Sequence, residues 1–259
     1  MSLMTQIGPT LDWRLGVALA LLLLLAVWAA VAGRMPTATS SVIAVVRAVV
    51  QLAVVAGVIR LALEHVWSAL VFAAVMLAVA TITSAGRIEA RANWPWVAVT
   101  LAAGVGPVLA IIFGTGSTPV SPPAIVAISG IIIGGTMTAC SLAARRAFAT
   151  LREQHGQVEA ALALGLTRQF SIGLAIDRER PEALVPVLDQ TRTVGLVTLP
   201  GAFVGVLLGG GSTADAAAAQ VLVLVGLIAA ETIAVVVATH MVATGRLLPR
   251  DVRQNLPAA

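Results

Sequence analysis

Seven long apolar runs, separated by short polar or glycine- and proline-rich segments, set the pattern of this chain. A helix of about 20 apolar residues crosses the hydrocarbon core of a bilayer, and most of the runs approach that length. The fifth run starts at Pro123, a favoured first helical position, and its helix is expected to continue to about Glu153. The runs occupy residues 15–32, 41–59, 67–83, 94–113, 123–144, 193–208 and 216–243. We predict an all-α polytopic membrane protein, with one transmembrane domain over residues 1–259 and seven transmembrane helices.

Composition indicates the same class of protein. Hydrophobic residues make up 59% of the 259 residues and charged residues only 11%, whereas a soluble domain carries about 25% charged residues. The net charge of +4 comes from arginines between the runs, and no basic patch interleaved with aromatic residues accompanies them. We therefore expect a lipid bilayer around the chain and no nucleic-acid partner.

The arginines predict the orientation. Cytoplasmic loops carry an excess of basic residues, and an N-terminus outside the cell leaves only Arg14 and Arg60 on the outer side. Residues 144–192 hold seven of the sixteen arginines and are expected in the cytoplasm. No basic segment precedes the first run as in a signal peptide, so this run is expected to remain as a helix. We predict a multi-pass protein of the inner (plasma) membrane, with the N-terminus outside and the C-terminus inside.

No catalytic site is expected in this chain. The sequence contains no lysine, which excludes the lysine of a P-loop. No nucleophile–base or paired-carboxylate constellation is present either. We therefore expect no enzyme activity and no bound cofactor, and any P-loop ATP chemistry would belong to a separate subunit.

A short helix in the cytoplasmic segment is the first candidate for function. Glu159, Ala160, Ala161 and Gly165 follow the spacing EAAxxxG, which would put small residues on one helix face and allow another protein to approach closely. Glu159 would lie in the first turn, where a carboxylate suits the positive end of the helix dipole. An amphipathic helix lying on the membrane surface is the alternative. We predict a docking helix within the loop 154–182.

Hydroxyl and sulfur groups are concentrated in the fifth run. Five such side chains lie within two helical turns and could line a substrate pathway, because soft sulfur ligands favour soft or borderline metals. Alternatively, the hydroxyl groups bond the carbonyls of their own helix. The five residues are Thr136, Met137, Thr138, Cys140 and Ser141.

Glycines at four-residue spacing predict close helix packing in the fifth and sixth runs. Gly130 and Gly134 form one such pair, and Gly201 and Gly205 form another; small residues at this spacing let helices pack closely in lipid. Pro200 would lie inside the sixth run, where a proline frees a backbone carbonyl and permits a kink. This position is interpreted as a hinge or as a static kink.

Three polar side chains fall inside other apolar runs. Arg47 and Gln51 lie one turn apart in the second run, and Glu231 lies in the seventh. Counted from the cytoplasmic ends, they reach a similar depth and could share a polar cavity that a cation crosses. A structural ion pair between Arg47 and Glu231 is the alternative. No histidine cluster or metal-ligand spacing occurs, so Met137, Cys140 and Glu231 are only candidate metal ligands.

Three motifs in this order resemble the FetB-like family of ABC-transporter permeases. The family is linked to iron export in bacteria and is similar to the plant aluminium-sensitivity permeases. The motifs are residues 130–141 (GIIIGGTMTACS), 158–167 (VEAALALGLT) and 194–201 (VGLVTLPG). The segment 47–52 (RAVVQL) also fits the pattern of the second helix of the family.

The resemblance implies a homodimeric permease that works with two copies of a separate ATPase, which would bind ATP and magnesium. The segment 158–167 is similar to the coupling helix of ABC permeases. The cargo implied is iron or another metal cation or small metal complex. The implied coupling residues are Glu159, Ala160, Ala161, Gly165, Thr167 and Arg168.

The chain departs from the family pattern at several positions. Asparagine is usual where Gly135 and Asp189 stand, lysine is usual at Arg192, and small residues are usual at Glu231. After Gly201 the family tends toward methionine and glutamine, whereas this chain has the run 202–206 (AFVGV). These departures count against the implied iron cargo more than against the implied docking helix.

Two further hypotheses compete with an ATP-driven exporter. A secondary carrier would use Arg47 and Glu231 for proton or ion coupling without an ATPase. A membrane scaffold would need no polar residues inside its spans, so the intramembrane charges argue against it.

Overall fold

The structure is a computed structural model that describes residues 12–255. These residues form helices connected by turns; within them there is no strand, only an isolated bridge between Val194 and Thr198. The chain divides into two units at the boundary between Leu61 and Ala62. The all-α architecture predicted from the apolar runs is therefore confirmed.

The first unit contains the two helices expected from the first two runs. Helix α1 spans Trp13–Ala32, and helix α2 spans Ala38–Glu64 and crosses the boundary between the units. The side chain of Asp12 caps α1 by accepting a hydrogen bond from the backbone N–H of Trp13 at 2.7 Å. Such a cap satisfies one of the N–H groups that a helix leaves unpaired at its start.

Four long helices form the framework of the second unit. They are α3 (Val66–Arg87), α4 (Trp94–Gly114), α5 (Pro122–Glu153) and α11 (Thr213–Ala243). A 3₁₀ turn, Arg91–Asn93, precedes α4. The shorter helices are α6 (His155–Ala163), α7 (Arg168–Ile176), α8 (Glu179–Glu182), α9 (Val185–Thr193), α10 (Gly201–Leu208) and α12 (Arg250–Asn255).

The ends of the long helices follow local sequence signals. Helix α5 begins with two prolines, whose fixed φ suits the first turn, and it ends at Glu153 as predicted. Helix α11 begins with a capping box, in which Ser212 and Asp215 bond each other's backbone N–H groups.

The core of the second unit lies where α5 packs against α3, α4 and α11. The buried face of α5 repeats every three or four residues, as a helix with one packed stripe requires. This stripe includes Ile125, Ile132, Thr136, Cys140, Ala144, Ala147 and Leu151. Small side chains on α4, α5 and α11 allow their backbones to approach, which is how helices associate in lipid.

The predicted sixth span is not one helix. Residues 194–200 are irregular and separate α9 from α10. Pro200 has no N–H to donate and disfavours helical geometry at the residue before it, and Gly195 adopts a φ of 80°. Pro200 therefore starts α10 as its N-cap and does not kink a continuous helix. Among the described residues, six helices are long and apolar enough to cross a membrane: α1 to α5 and α11. The predicted count of seven is not confirmed.

The C-terminal segment, residues 245–254, folds back onto the second unit. Leu247, Leu248 and Val252 are buried, and the Asn93 side-chain amide donates to the backbone carbonyl of Leu248 at 3.1 Å. Arg152, near the end of α5, donates to Asp251 at 2.8 Å and to Glu89 at 3.4 Å. The sequence predicted only a short tail here. The segment instead ties the end of α5 to the connection between α3 and α4.

The Arg152–Asp251 ion pair gives the C-terminal segment an acid-sensitive attachment. The hydrogen bond from Arg152 holds the pKa of Asp251 below its ordinary value. A carboxyl group whose pKa is lowered by folding stabilises the folded state at pH values above its unfolded-state pKa. This contribution is lost as the pH falls through the folded-state pKa. Because both side chains are partly exposed, we expect a modest effect. Pepsin should cleave Asp251→Asn faster than wild type within the C-terminal segment at pH 5, and the difference should shrink towards pH 3.

The matched control for this test is Asp177→Asn, since Asp177 pairs with Arg180 in another part of the fold. It should leave cleavage of the C-terminal segment unchanged. Equal cleavage of wild type and Asp251→Asn at pH 5 would show that the ion pair does not hold the segment.

Candidate pathway and docking hairpin

Glu231 is a buried carboxylate in the middle of α11. It is 7% exposed, and within the described residues 62–255 no arginine or histidine pairs with it. A β-carbon on Gly135 of α5 would lie 2.5 Å from Glu231 Oε1 and 2.5 Å from Leu227 Cδ2. The absent side chain of Gly135 therefore creates the space that the carboxylate occupies. Placing an ionisable group inside a membrane span costs free energy, so such a group by default indicates a functional role.

The five polar residues predicted as a pathway in α5 do not share one face. Thr136 donates to the carbonyl of Ile132 at 2.7 Å, and Thr138 donates to that of Gly134 at 3.0 Å. Thr136 is buried and Thr138 exposed, because successive helix positions are rotated by about 100°. Both hydroxyl groups thus follow the alternative of bonding their own helix.

The remaining pathway candidates of α5 also have structural surroundings. Ser141 shares a 2.9 Å hydrogen bond with Ser84 of α3, Cys140 is fully buried, and Met137 is half-buried beside the core. Within residues 12–255, no three His, Cys, Asp or Glu side chains lie close enough to hold a metal ion. Metal ligation by Met137, Cys140 and Glu231 stays a prediction.

Arg47 and Gln51 lie in α2 of the first unit. They are one helical turn apart, and both are exposed. Their part in a pathway, and the pairing of Arg47 with Glu231, stay predictions.

The predicted docking helix is a helical hairpin, residues 155–176, formed by α6 and α7. Helix α6 ends at Ala163, and Gly165 follows with a φ of 82°. The N–H of Leu166 bonds the carbonyl of Ala161, and that of Gly165 bonds the carbonyl of Leu162. This is a Schellman motif, which favours glycine because of its left-handed conformation. Thr167 then caps α7, which begins at Arg168.

The hairpin corrects two details of the predicted docking helix. Gly165 lies in the turn and not on the same helix face as Ala160, because the helix has already ended. Ala161 is buried, and its contact with a partner stays a prediction. Glu159 is the fifth residue of α6 and lies beyond the first turn. Glu159 and Ala160 remain exposed.

Exposed apolar side chains surround the turn of the hairpin. Leu164 is 82% exposed and Phe170 is 57% exposed. Sequence reasoning missed both, although Leu164 directly precedes Gly165 in the motif 158–167. Their role as an interaction surface stays a prediction.

The hairpin is attached firmly to the long helices. Helix α7 packs against α5 and α11 and buries Ile172 and Ile176. Beyond α7, Glu179 accepts a hydrogen bond from Thr150 at 3.0 Å, and Glu182 pairs with Arg146 at 3.2 Å. A force applied to the hairpin would therefore reach α5 and α11, the helices that carry Gly135 and Glu231.

The glycines that allow close helix packing are only in part those predicted. A β-carbon on Gly130 would meet Met76 at 3.0 Å, but Gly134, Gly201 and Gly205 have no neighbour within 4 Å of such an atom among the described residues. Further tight contacts lie at Gly104, Gly135 and Gly226. No four-residue spacing relates these three, since they lie on different helices, so a spacing rule could not find them.

The helices and this site define a multi-pass α-helical membrane protein. Its family follows from comparison with known proteins: residues 13–245 match the family described as "Uncharacterised protein family (UPF0014)", and the chain belongs to that family. The resemblance to FetB-like permeases and plant aluminium-sensitivity proteins is confirmed.

Several known proteins are similar to this chain over more than half of its length. The UPF0014 membrane protein STAR2 of Oryza sativa subsp. japonica is 30% identical over 201 residues, covering 76% of this chain and 70% of that protein. The protein ALUMINUM SENSITIVE 3 of Arabidopsis thaliana is 29% identical over 167 residues, covering 64% and 61%. The "Probable iron export permease protein FetB" of Escherichia coli K12 is 28% identical over 146 residues, covering 56% of each chain. No solved structure matches this chain.

Proposed function

We propose that this chain is the membrane-spanning permease subunit of an ATP-driven ABC transporter. It works as a homodimer in the inner (plasma) membrane with two copies of a separate ATPase, which binds ATP and magnesium. The observation that carries the proposal is the docking hairpin. Its exposed Leu164 and Phe170 offer an apolar contact, and its attachment to α5 and α11 connects that contact to the membrane.

In the proposed cycle, the ATPase moves the hairpin, and this movement changes the contact between α5 and α11. The partner ATPase closes on ATP and pushes Leu164, Glu159 and Ala160. Because α5 has 32 residues, it is about 48 Å long and extends well beyond the hydrocarbon core of about 30 Å. Tilting α5 against α11 would move Gly135 relative to Glu231 and switch the access of the carboxylate between the two faces.

The proposed cargo is a metal cation or a small metal complex, moved outward. Two observations support it: the similarity to FetB, whose name describes iron export, and the buried carboxylate of Glu231, which has no ion-pair partner among the described residues 62–255. A negative group in a low-dielectric site favours a cation.

The docking surface can be tested by changing its most exposed side chain. Burying a leucine contributes about 1.5–3 kcal/mol, so Leu164→Asp should weaken co-purification with the cognate ATPase about tenfold or more. Permease-stimulated ATP hydrolysis should fall in parallel. Gly165→Val should also weaken the complex, because a β-branched residue is strained at a positive φ.

The matched control is Val185→Asp, which places the same charge on an exposed residue of α9 outside the hairpin. It should leave the complex intact. If Leu164→Asp binds and stimulates the ATPase as wild type does, the hairpin is not the docking surface.

A secondary carrier is the second candidate, because a buried carboxylate such as Glu231 also suits proton coupling. Vesicles that contain the purified chain without ATPase distinguish the two functions. Metal transport driven only by a proton gradient would favour the carrier, whereas transport that requires both the ATPase and ATP would favour the ABC permease.

A further inference from the structure

An apolar groove runs along the outside of the second unit between α3 and α4. Its volume is about 650 Å³. Alanines on both helices form its walls, because their short side chains leave the space between two helix backbones open. The wall residues that matter here are Ala74, Ala78, Ala85, Ala98 and Ala102. From Ala74 to Ala85 the groove is about 16 Å long, which suits an acyl chain.

The groove ends at Arg91 and Trp94, where α3 has ended and α4 begins. Trp94 is 55% exposed, and tryptophans at span ends lie at the level of lipid headgroups. The only hydroxyl group among the lining residues belongs to Thr81, which donates to the carbonyl of Leu77. The groove therefore offers apolar contact along its length and a positive charge at one end.

Arg91 also lines a second, polar cavity of about 950 Å³. This cavity lies between the connection from α3 to α4 and the C-terminal segment. It is lined by three arginines, Arg91, Arg250 and Arg253, and by two carboxylates, Glu89 and Asp251.

The charges of the polar cavity are unbalanced. Glu89 and Asp251 both pair with Arg152, which does not line the cavity. Within residues 12–255, neither Arg91 nor Arg250 forms an ion pair. Arg253 donates once, to the carbonyl of Gly245 at 2.8 Å, and retains other N–H groups. The cavity therefore has an excess of positive charge and free N–H donors for an anion such as phosphate.

We infer that the α3–α4 groove and the adjoining arginine-lined cavity together form a binding site for one anionic phospholipid. One acyl chain of the lipid lies in the groove, and the phosphate group contacts Arg91 and Arg250. Basic pockets beside transmembrane helices suit anionic headgroups for this reason. The lipid would hold the C-terminal segment against the ends of α3 and α4, close to the Arg152 attachment. The site does not depend on the proposed ATPase partner or on the cargo.

Native mass spectrometry of the purified full chain tests the inference. The probes are dioleoylphosphatidylglycerol and dioleoylphosphatidylcholine, which share acyl chains and differ in charge. We expect the wild type to retain the anionic lipid preferentially. Arg91→Gln and Arg250→Gln should each weaken that binding about fivefold, which corresponds to about 1 kcal/mol per arginine. Arg178→Gln removes an exposed arginine elsewhere in the unit and should have no effect.

The apolar half of the site is tested separately. Ala78→Phe fills the groove and should reduce binding of both lipids, whereas Val79→Phe adds the same ring at the next, exposed position, which does not line the groove. Val79→Phe should bind lipid as wild type does, and both variants should keep the wild-type unfolding temperature.

Three outcomes would overturn the inference. Equal retention of the two lipids by the wild type would show that the site does not prefer an anionic lipid. Displacement of the anionic lipid by millimolar inorganic phosphate, with Ala78→Phe still binding phosphate, would indicate a soluble anion site. Loss of a dimer in Ala78→Phe, without any change in lipid retention, would indicate that a second copy of the chain covers the groove.

Discussion

Gly104→Ala is expected to destabilise the second unit strongly. A β-carbon at this position of α4 would lie 2.6 Å from the backbone carbonyl oxygen of Ala230, 3.1 Å from Thr136 Cγ2 and 3.3 Å from the β-carbon of Ala234. The first of these neighbours is backbone and cannot rotate away, so α4 and α11 must separate. Overpacking of this kind costs about 1–3 kcal/mol. Thermal unfolding in detergent should therefore begin at a clearly lower temperature than in the wild type.

Gly106→Ala is the matched control for this prediction. Gly106 lies in the same helix, and a β-carbon there would have no neighbour within 4 Å among the described residues. Since alanine is the better helix former by about 1 kcal/mol, this variant should be as stable as the wild type or more stable. Similar unfolding temperatures for the two alanine variants would mean that α4 and α11 do not cross closely at Gly104.

Glu231→Gln is expected to reduce metal efflux strongly while leaving the fold intact. The substitution keeps the shape of the side chain and removes its charge, so the contact with Gly135 is preserved. Under the proposed function the carboxylate attracts the cation, and efflux should fall at least about tenfold, which corresponds to about 1.4 kcal/mol. The measurement is iron efflux from proteoliposomes that contain the permease and its ATPase, with unfolding temperature and ATP hydrolysis measured beside it.

Thr239→Val provides the control in α11. Thr239 is buried, but its hydroxyl bonds the carbonyl of Val235 in its own helix, so the substitution should leave efflux near the wild-type rate. If Glu231→Gln transports as fast as wild type, the carboxylate has a structural role only. If both variants lose transport equally, the loss results from any change inside α11 and not from removal of the charge.

The contact between Gly135 and Glu231 links two departures from the family pattern. The resemblance implies asparagine at the first position and a small residue at the second, whereas in this chain the large side chain is on α11 and the small one on α5. Each departure read alone suggests a lost or misplaced polar group. Together they place one polar side chain in the same space between the two helices.

The local pattern of the sequence determined the helices. Long apolar runs must satisfy their own backbone groups in lipid, and a helix does so with bonds inside the run. This is why α1 to α5 and α11 could be predicted with ends within about five residues of those observed. The agreement includes the prolines that begin α5 and the end of α5 at Glu153. Membership of the permease family could be inferred in the same way, because its motifs are contiguous stretches.

Only the tertiary structure decided which side chains meet. The tight crossings at Gly104 and Gly135 join helices that lie far apart in the sequence, so no spacing rule predicts them. The return of Leu247 and Leu248 into the core depends on space left by the ends of α3, α4 and α5. The sixth run failed as a helix because Pro200 and Gly195 outweighed its apolar length. The arrangement of Glu231 in a space that another helix leaves open is therefore a property of packing, which no single stretch of the sequence contains.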